Sequence, residues 1–315
     1  MSRKEEKLAR FESIPLQDTQ FFLFRGCTEQ VYPGIQEGAI KVFKKLGIGL
    51  VTSDDQTCCS GNFLLFNLAT STGVTTVGER NLNVVRPLSR YLLTSCNGCF
   101  SSMNLGKEFL RRDEELRDRV ESVLAELGMG IEEEVEVIHV GEFFFAIRQL
   151  LRDHLTCDLN GAAGVAQYGC HYLNPHPEAI FEDPNNPTFL EELIDFLGGT
   201  PREYEKKLLC CGSGVSQRLI HPDFSLAISH EKLASIKKQS PDFILTICPY
   251  CQYEMDNAQL EIEIEYGEEI NVPVLHVNEL LGLLVGLDPE ADLHLSSHKI
   301  SVDPLLEKLE LEALA

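Results

Sequence analysis

Hydrophobic positions along this chain fall into short apolar runs that alternate with longer stretches of helical spacing. The runs Phe21-Phe22-Leu23-Phe24, Ile48-Gly49-Leu50-Val51 and Tyr91-Leu92-Leu93-Thr94 read as strands, and Val165 to Tyr168, Lys207 to Leu209 and Phe243 to Ile247 repeat the pattern in the second half. Helical spacing covers Ile35 to Leu46, Val77 to Arg86, Thr188 to Leu197 and Ser225 to Lys238, with Gly47 and Gly198 placed as stops. Strand and helix in alternation predict an α/β fold of two pseudo-symmetric repeats, each a small open, mainly parallel sheet with flanking helices. The expected boundaries are an N-terminal extension 1–19, a first repeat 20–156, a linker 157–163, a second repeat 164–287 and a C-terminal tail 288–315. In the tail, Asp303 is expected to cap a short helix with Pro304 at its first position. Leu305, Leu306, Leu309 and Leu314 then form an apolar stripe, to dock on a partner or on the chain's own core.

The cysteines share this repeat. Cys27, Cys58-Cys59 and Cys96-x-x-Cys99 are followed by Cys170, Cys210-Cys211 and Cys248-x-x-Cys251, and the last four of each set correspond at a constant offset of 152 residues. The first cysteine alone departs from that offset, because the second copy carries extra proline-rich sequence between Pro175 and Pro187, expected as a surface loop. A shared tail, Val137-Ile138-His139-Val140-Gly141-Glu142 and Val274-Leu275-His276-Val277-Asn278-Glu279, strengthens the duplication. Its histidines are expected to cap a strand-to-helix turn. Each cysteine group follows a strand, so all five of a set are placed at the carboxyl edge of one sheet, where open α/β folds bind their ligands. Glycines beside the double cysteines, Gly61, Gly212 and Gly214, provide tight turns and close backbone approach.

Composition narrows the chemistry. The net charge is −22, tryptophan is absent and no basic tract occurs, which argues against nucleic-acid binding and against an anionic membrane surface. The segment Met1 to Gln20 is polar and no apolar run is long enough to span a bilayer, so the expectation is a cytoplasmic chain with no direct membrane insertion. In that compartment thiols stay reduced, and ten patterned cysteines point to metal or catalysis rather than a disulfide framework. Zinc would use four of five ligands and leave one idle. Iron–sulfur chemistry suits the surplus better, because adjacent cysteines can offer a thiolate that bridges two irons. The eleventh cysteine, Cys157, lies outside both sets and is expected to be unligated.

The duplicated pattern resembles the cysteine-rich domain of the B subunit of heterodisulfide reductase, over roughly Phe21 to Leu287. It is close in Tyr168-Gly169-Cys170-His171-Tyr172-Leu173-Asn174-Pro175, in the second double-cysteine loop, and in Ile270-Asn271-Val272-Pro273-Val274-Leu275-His276. The resemblance implies two noncubane 4Fe-4S clusters, one held by Cys27, Cys58, Cys59, Cys96 and Cys99, the other by Cys170, Cys210, Cys211, Cys248 and Cys251. It further implies two-electron reduction of an organic disulfide, by family default the coenzyme M–coenzyme B heterodisulfide, to two thiols. The partners implied are two other heterodisulfide reductase subunits, one ferredoxin-like and one containing flavin. Their cofactors have no motif here: neither G-x-G-x-x-G nor a ferredoxin cysteine run is present.

His171, directly after Cys170, is the candidate catalytic proton donor, against the alternative of a hydrogen bond to the cluster; its counterpart is Thr28. Two loops depart from the family. Cys58-Cys59-Ser60-Gly61 stands where methanogen proteins resemble Cys-Cys-Pro, and Gly212-Ser213-Gly214-Val215-Ser216 replaces a more glycine-rich run. Arg25, Lys206, Lys207 and Arg218 are the candidate anion-binding cations. Two rival readings remain: a component of a sulfur-oxidising, heterodisulfide reductase-like complex acting on a protein-bound sulfur carrier, and a non-catalytic electron conduit or zinc-stabilised scaffold.

Overall fold

The computed structural model describes residues 3–65, 68–174, 180, 182–312 and 314. Its described strands form two four-stranded sheets of the same topology. The first contains β1 (Gln20–Phe24), β2 (Gly49–Val51), β3 (Tyr91–Thr94) and β4 (Glu136–His139), in the order β2-β1-β3-β4. The second contains β5 (Ala163–Gln167), β6 (Thr200–Pro201), β7 (Phe243–Thr246) and β8 (Val274–His276), in the order β6-β5-β7-β8. Every pairing is parallel. Helices cover the sheets, which is why central strands such as Phe21 to Phe24 and Phe243 to Thr246 are buried along their length and lack polar alternation.

Four of the expected helices are present as Pro33–Lys45, Ser71–Val85, Phe189–Phe196 and Pro222–Lys237. Gly47 and Gly198 do end the first and third, with φ of 68° and 85°. One expected strand is absent. Lys207 to Leu209 is a turn, and β6 lies earlier at Thr200–Pro201. The cause is Lys232, whose buried ammonium donates to the carbonyls of Lys206, Lys207 and Leu209 at 3.0, 3.0 and 2.7 Å. The segment winds around that charge and leaves Leu208 exposed.

The two repeats are interlocked. The helix after β4, Val140–Ala146, packs on Phe189–Phe196 of the second repeat, where the Phe145 and Phe189 rings meet at 5.7 Å. The helix after β8, Val277–Leu284, packs on Pro33–Lys45 of the first, and Asn278 Nδ2 donates to the Ile35 carbonyl at 2.8 Å. One hydrophobic core therefore runs through both repeats. Phe43 stacked on Phe143, with centroids 5.5 Å apart, belongs to it. Such a pair adds about 1 kcal/mol beyond its area burial.

Two peripheral expectations change. The proline-rich insertion is partly internal: Ile180 is buried, and the Glu182 carboxylate accepts from the N–H groups of Thr188 and Phe189, closing the start of helix Phe189–Phe196. Residues 175–179 and 181 lie outside the described residues. The C-terminal helix is Asp303–Lys308 with Val302, not Asp303, at its N-cap, because Asp303 instead accepts from Ser301 Oγ and Leu314 N. Its Leu305, Leu306 and Leu309 are buried in the chain's own core.

Candidate metal centre

In each sheet the order reverses between its first and third strands, β1 and β3 or β5 and β7, and the chain leaves these strand ends in opposite directions. That is the crevice in which open α/β sheets bind ligands. Cys27 follows β1, Cys58-Cys59 follow β2 and Cys96 follows β3; Cys170, Cys210-Cys211 and Cys248 follow β5, β6 and β7. Cys96 and Cys248 are the N-caps of helices Asn97–Arg112 and Pro249–Tyr266, which puts Cys99 and Cys251 in the first turns. Free N–H groups and the positive end of each helix thus face sulfur.

All ten cysteines line one cavity of about 340 Å³. Their side chains interact in an unbroken file, Cys27 to Cys58, Cys59, Cys99 and Cys96, then across to Cys248, Cys251, Cys211, Cys210 and Cys170. The crossing joins Cys96 to Cys248, which are equivalent residues of the two repeats. A pseudo-twofold axis therefore passes between the two sulfur sets. Negative charge concentrates within the file. Cys59, Cys210 and Cys248 are held below an ordinary thiol by hydrogen bonds from their neighbours, Cys58 and Cys99, Cys170 and Cys211, and Cys251 and Cys96 respectively. Backbone N–H groups assist, from Gly61 at Cys59, from Gly212 and Gly214 at Cys210, and from Cys251 and Asn97 at Cys248.

The donor set fits iron–sulfur groups. All ten sulfurs are free thiols, eight of them wholly or partly buried, and they ring a space larger than one ion. Among the described residues no three His, Cys, Asp or Glu side chains converge as ligands of a single ion would.

The strand-to-helix histidines hold the two sets together. His139 Nδ1 accepts from Gly141 N at 3.1 Å and His276 Nδ1 from Asn278 N at 3.2 Å, so both cap helices as expected. Burial keeps both rings uncharged, lowering His139 to about 3 and His276 in the same direction. His276 Nε2 reaches across the pseudo-axis to the Ser95 carbonyl at 2.9 Å, next to Cys96. His139 faces the backbone of Ile247, next to Cys248, without a well-formed bond. Gly169, at φ 80°, is a forced glycine: a Cβ there would lie 2.4 Å from Asn97 Nδ2 and 3.1 Å from Cys251 Sγ. After the double cysteines the left-handed residues are Ser60 and Gly212, so Gly61 does not make the first turn; it makes room for Ser102 instead.

His171 lines the cavity, as does its counterpart Thr28. The four candidate cations do not. Arg25 is held by the Ser53 carbonyl and Asp54, Lys206 by Glu231, Lys207 by Glu191 and Glu203, and Arg218 by Glu261 and Glu254. Cys157 is half-buried and is not part of the lining. Sequence reasoning missed Glu29. It is fully buried, neither carboxylate oxygen has a hydrogen-bond partner, and burial pushes it up to about 8, an uncharged group close to Cys27 and Cys248. Tyr250 and Asn97, which unlike Glu29 line the cavity, were missed as well; their only signal was position inside the two Cys-x-x-Cys loops.

Fold and cavity together define a duplicated cysteine-rich α/β protein with a sulfur-donor site shared by its halves. The chain belongs to the cysteine-rich CCG domain family, whose model matches residues 21–104 and again 165–256, and heterodisulfide reductase B subunits are among its relatives. The B subunit of the ferredoxin/F(420)H(2)-dependent CoB-CoM heterodisulfide reductase of Methanosarcina acetivorans is 33% identical over 273 residues, covering 85% of this chain and 90% of that protein. A protein of Archaeoglobus profundus named as similar to the heterodisulfide reductase B subunit is 31% identical over 280 residues, covering 86% and 92%. The 8-methylmenaquinol:fumarate reductase membrane anchor subunit of Wolinella succinogenes is 27% identical, covering 91% and 99%. Among solved structures, a hypothetical protein from Helicobacter pylori superposes with a TM-score of 0.70 at 14% identity, covering 94% of this chain and 57% of that one, which shows a shared fold. No helix among the described residues is long and apolar enough to cross a membrane.

Proposed function

We propose that the chain is the catalytic subunit of a heterodisulfide reductase-type complex, reducing an organic disulfide to two thiols. The observation that carries this reading is the single cavity in which both five-cysteine sets meet at Cys96 and Cys248. Cys27, Cys58, Cys59, Cys96 and Cys99 would hold one noncubane 4Fe-4S cluster, and Cys170, Cys210, Cys211, Cys248 and Cys251 a second. When bound, the two clusters supply one electron each to the two sulfurs of the substrate. The chain's own groups do the rest. The N-termini of Asn97–Arg112 and Pro249–Tyr266 stabilise anionic sulfur, and the interlocked helices fix the distance between the sets. His171 supplies a proton to a leaving thiolate. Electrons enter from partner proteins, a ferredoxin-like one and a flavin-containing one, because this chain offers no dinucleotide or ferredoxin motif of its own.

Several relatives are named as parts of multi-component reductases, which supports a chain that works inside a larger complex; we place that complex in the cytoplasm. The fumarate reductase relative favours a second reading, an electron conduit that hands electrons onward without cleaving a disulfide. An oxygen-free preparation oxidising reduced methyl viologen separates the two. Turnover with added disulfide supports the catalytic reading; reducible iron centres with no turnover on any disulfide support the conduit. His171→Asn should keep its iron and lose about a hundredfold in rate. Unchanged turnover would remove His171 from the mechanism.

A further inference from the structure

The mouth of the cysteine cavity has a definite chemical character. Phe63 and Leu219 line the same cavity as the ten sulfurs, yet are 47% and 77% exposed. They lie on helices Gly61–Leu65 and Val215–Ile220, which follow the two double-cysteine loops at equivalent places in the repeats. Leu68, Ile220 and Phe224, a few residues further along the chain, are more than half exposed as well. Apolar surface of this kind left open to water marks a contact site.

Charge defines the rim as much as apolarity does. Among the described residues that line the cavity, none is Lys or Arg. The cations near the loops, Arg25, Lys206, Lys207 and Arg218, are paired with carboxylates or carbonyls of this chain, and Lys232, near Cys211 and Cys251, is buried on three carbonyls. A substrate bearing sulfonate, phosphate or carboxylate beside its disulfide would meet no lysine or arginine among those described lining residues, on a chain of net charge −22. An anion pressed against an apolar rim loses part of its hydration and gains no partner in return.

Resting on the disulfide-reductase reading above, we infer that the substrate of this chain carries uncharged, apolar groups next to its sulfurs, its two arms lying against Phe63 and Leu219. The reaction balances as R–S–S–R plus two electrons and two protons giving two R–SH. The S–S bond breaks and two S–H bonds form, while a reduced one-electron donor is oxidised twice.

The test compares two disulfides built on the same two-carbon arms, neutral diethyl disulfide and dianionic bis(2-sulfoethyl) disulfide, with the oxygen-free protein and reduced methyl viologen as donor. The neutral compound should have kcat/KM at least about tenfold higher, mainly through KM. Leu219→Arg and Phe63→Lys should narrow or invert that ratio at unchanged iron content, and Leu219→Ser should weaken the neutral substrate alone. Equal rates, or a preference for the dianion, overturn the inference and leave the reductase reading standing. Rim variants that leave both KM values unchanged while slowing electron entry from a partner protein also overturn it, since the rim then serves a protein. No turnover of either disulfide by a protein whose iron is reduced removes both.

Discussion

The two repeats place the same five sulfurs on the same three strand ends, yet they secure the double-cysteine loop by different means. In the second repeat the loop is tied from inside: Lys232 holds three carbonyls up to Leu209, Ser229 Oγ donates to the Cys211 carbonyl, and Ser225 Oγ to that of Gly212. In the first repeat Arg80, at the position equivalent to Lys232, reaches a single carbonyl, that of Asp55, and the Asn81 side-chain oxygen, while Asn81 accepts from Thr57 N and donates to the Cys58 carbonyl at 3.4 Å. Cys27 and Cys58 are exposed where Cys170 and Cys210 are half-buried. A duplicated site has thus kept its donors while one half is anchored in the core and the other near the surface. The first set is the more open to solvent and to oxidants.

The largest expected effect lies in that anchoring. Lys232→Met strands three carbonyls in the interior and should lower stability by about 3 kcal/mol or more, whereas Arg80→Met should cost about 1 kcal/mol or less. Denaturant unfolding of the two variants measures the contrast, and equal costs would erase it. Next comes pH. Glu79 is buried in the first repeat, and burial pushes its carboxyl up to about 7, while the equivalent Glu231 sits on the surface paired with Lys206. Because the folded-state value exceeds the ordinary one of 4.5, the contribution is fully present below pH 4.5 and is lost as pH rises through about 7. Glu79→Gln should therefore gain about 2–3 kcal/mol on the wild type at pH 8 and little at pH 4, read from melting curves across that range.

The crossing histidines differ by less. His276 makes both its cap and a bond to Ser95, and His139 makes only the cap, so His276→Ala should cost about 2 kcal/mol and His139→Ala about 1. Reversal of that order in unfolding experiments would show that the Ser95 contact is unimportant. The turn after the double cysteines differs in the residue that takes up the left-handed backbone. Ser60 holds φ 56° where Gly212 has 103°, so Ser60→Gly should raise stability by up to about 1 kcal/mol. Gly212→Ala should lower it by more than that amount, since its Cβ would fall 2.0 Å from Ser229 Oγ. A thermal shift of the same sign for both would contradict the difference.

Much of this was legible in the sequence because the information is local. Buried strands of four or five residues, helix stops at Gly47 and Gly198 and a repeated cysteine spacing each report on neighbours in the chain. β6 was not legible, since two residues carry no pattern and the apolar run that stood in for it answers to Lys232, a residue far along the sequence. The repeated His-Val-x-Glu tail announced two caps but could not say that each following helix packs on the other repeat. Glu29 gave no signal either: a glutamate two positions after a cysteine reads as solvated until the fold seals it. The cations near the loops looked free because their carboxylate partners lie, for the most part, on other elements.

The central claim is that one cavity holds two separate five-sulfur sites, each carrying an iron–sulfur group. Iron and acid-labile sulfide per chain, measured without oxygen for the wild type and for two paired variants, test it most directly. Cys58→Ser with Cys59→Ser, and Cys210→Ser with Cys211→Ser, should each remove about half of the iron and sulfide and leave the other half in place. Zinc in place of iron, or unchanged iron in both paired variants, would contradict the account.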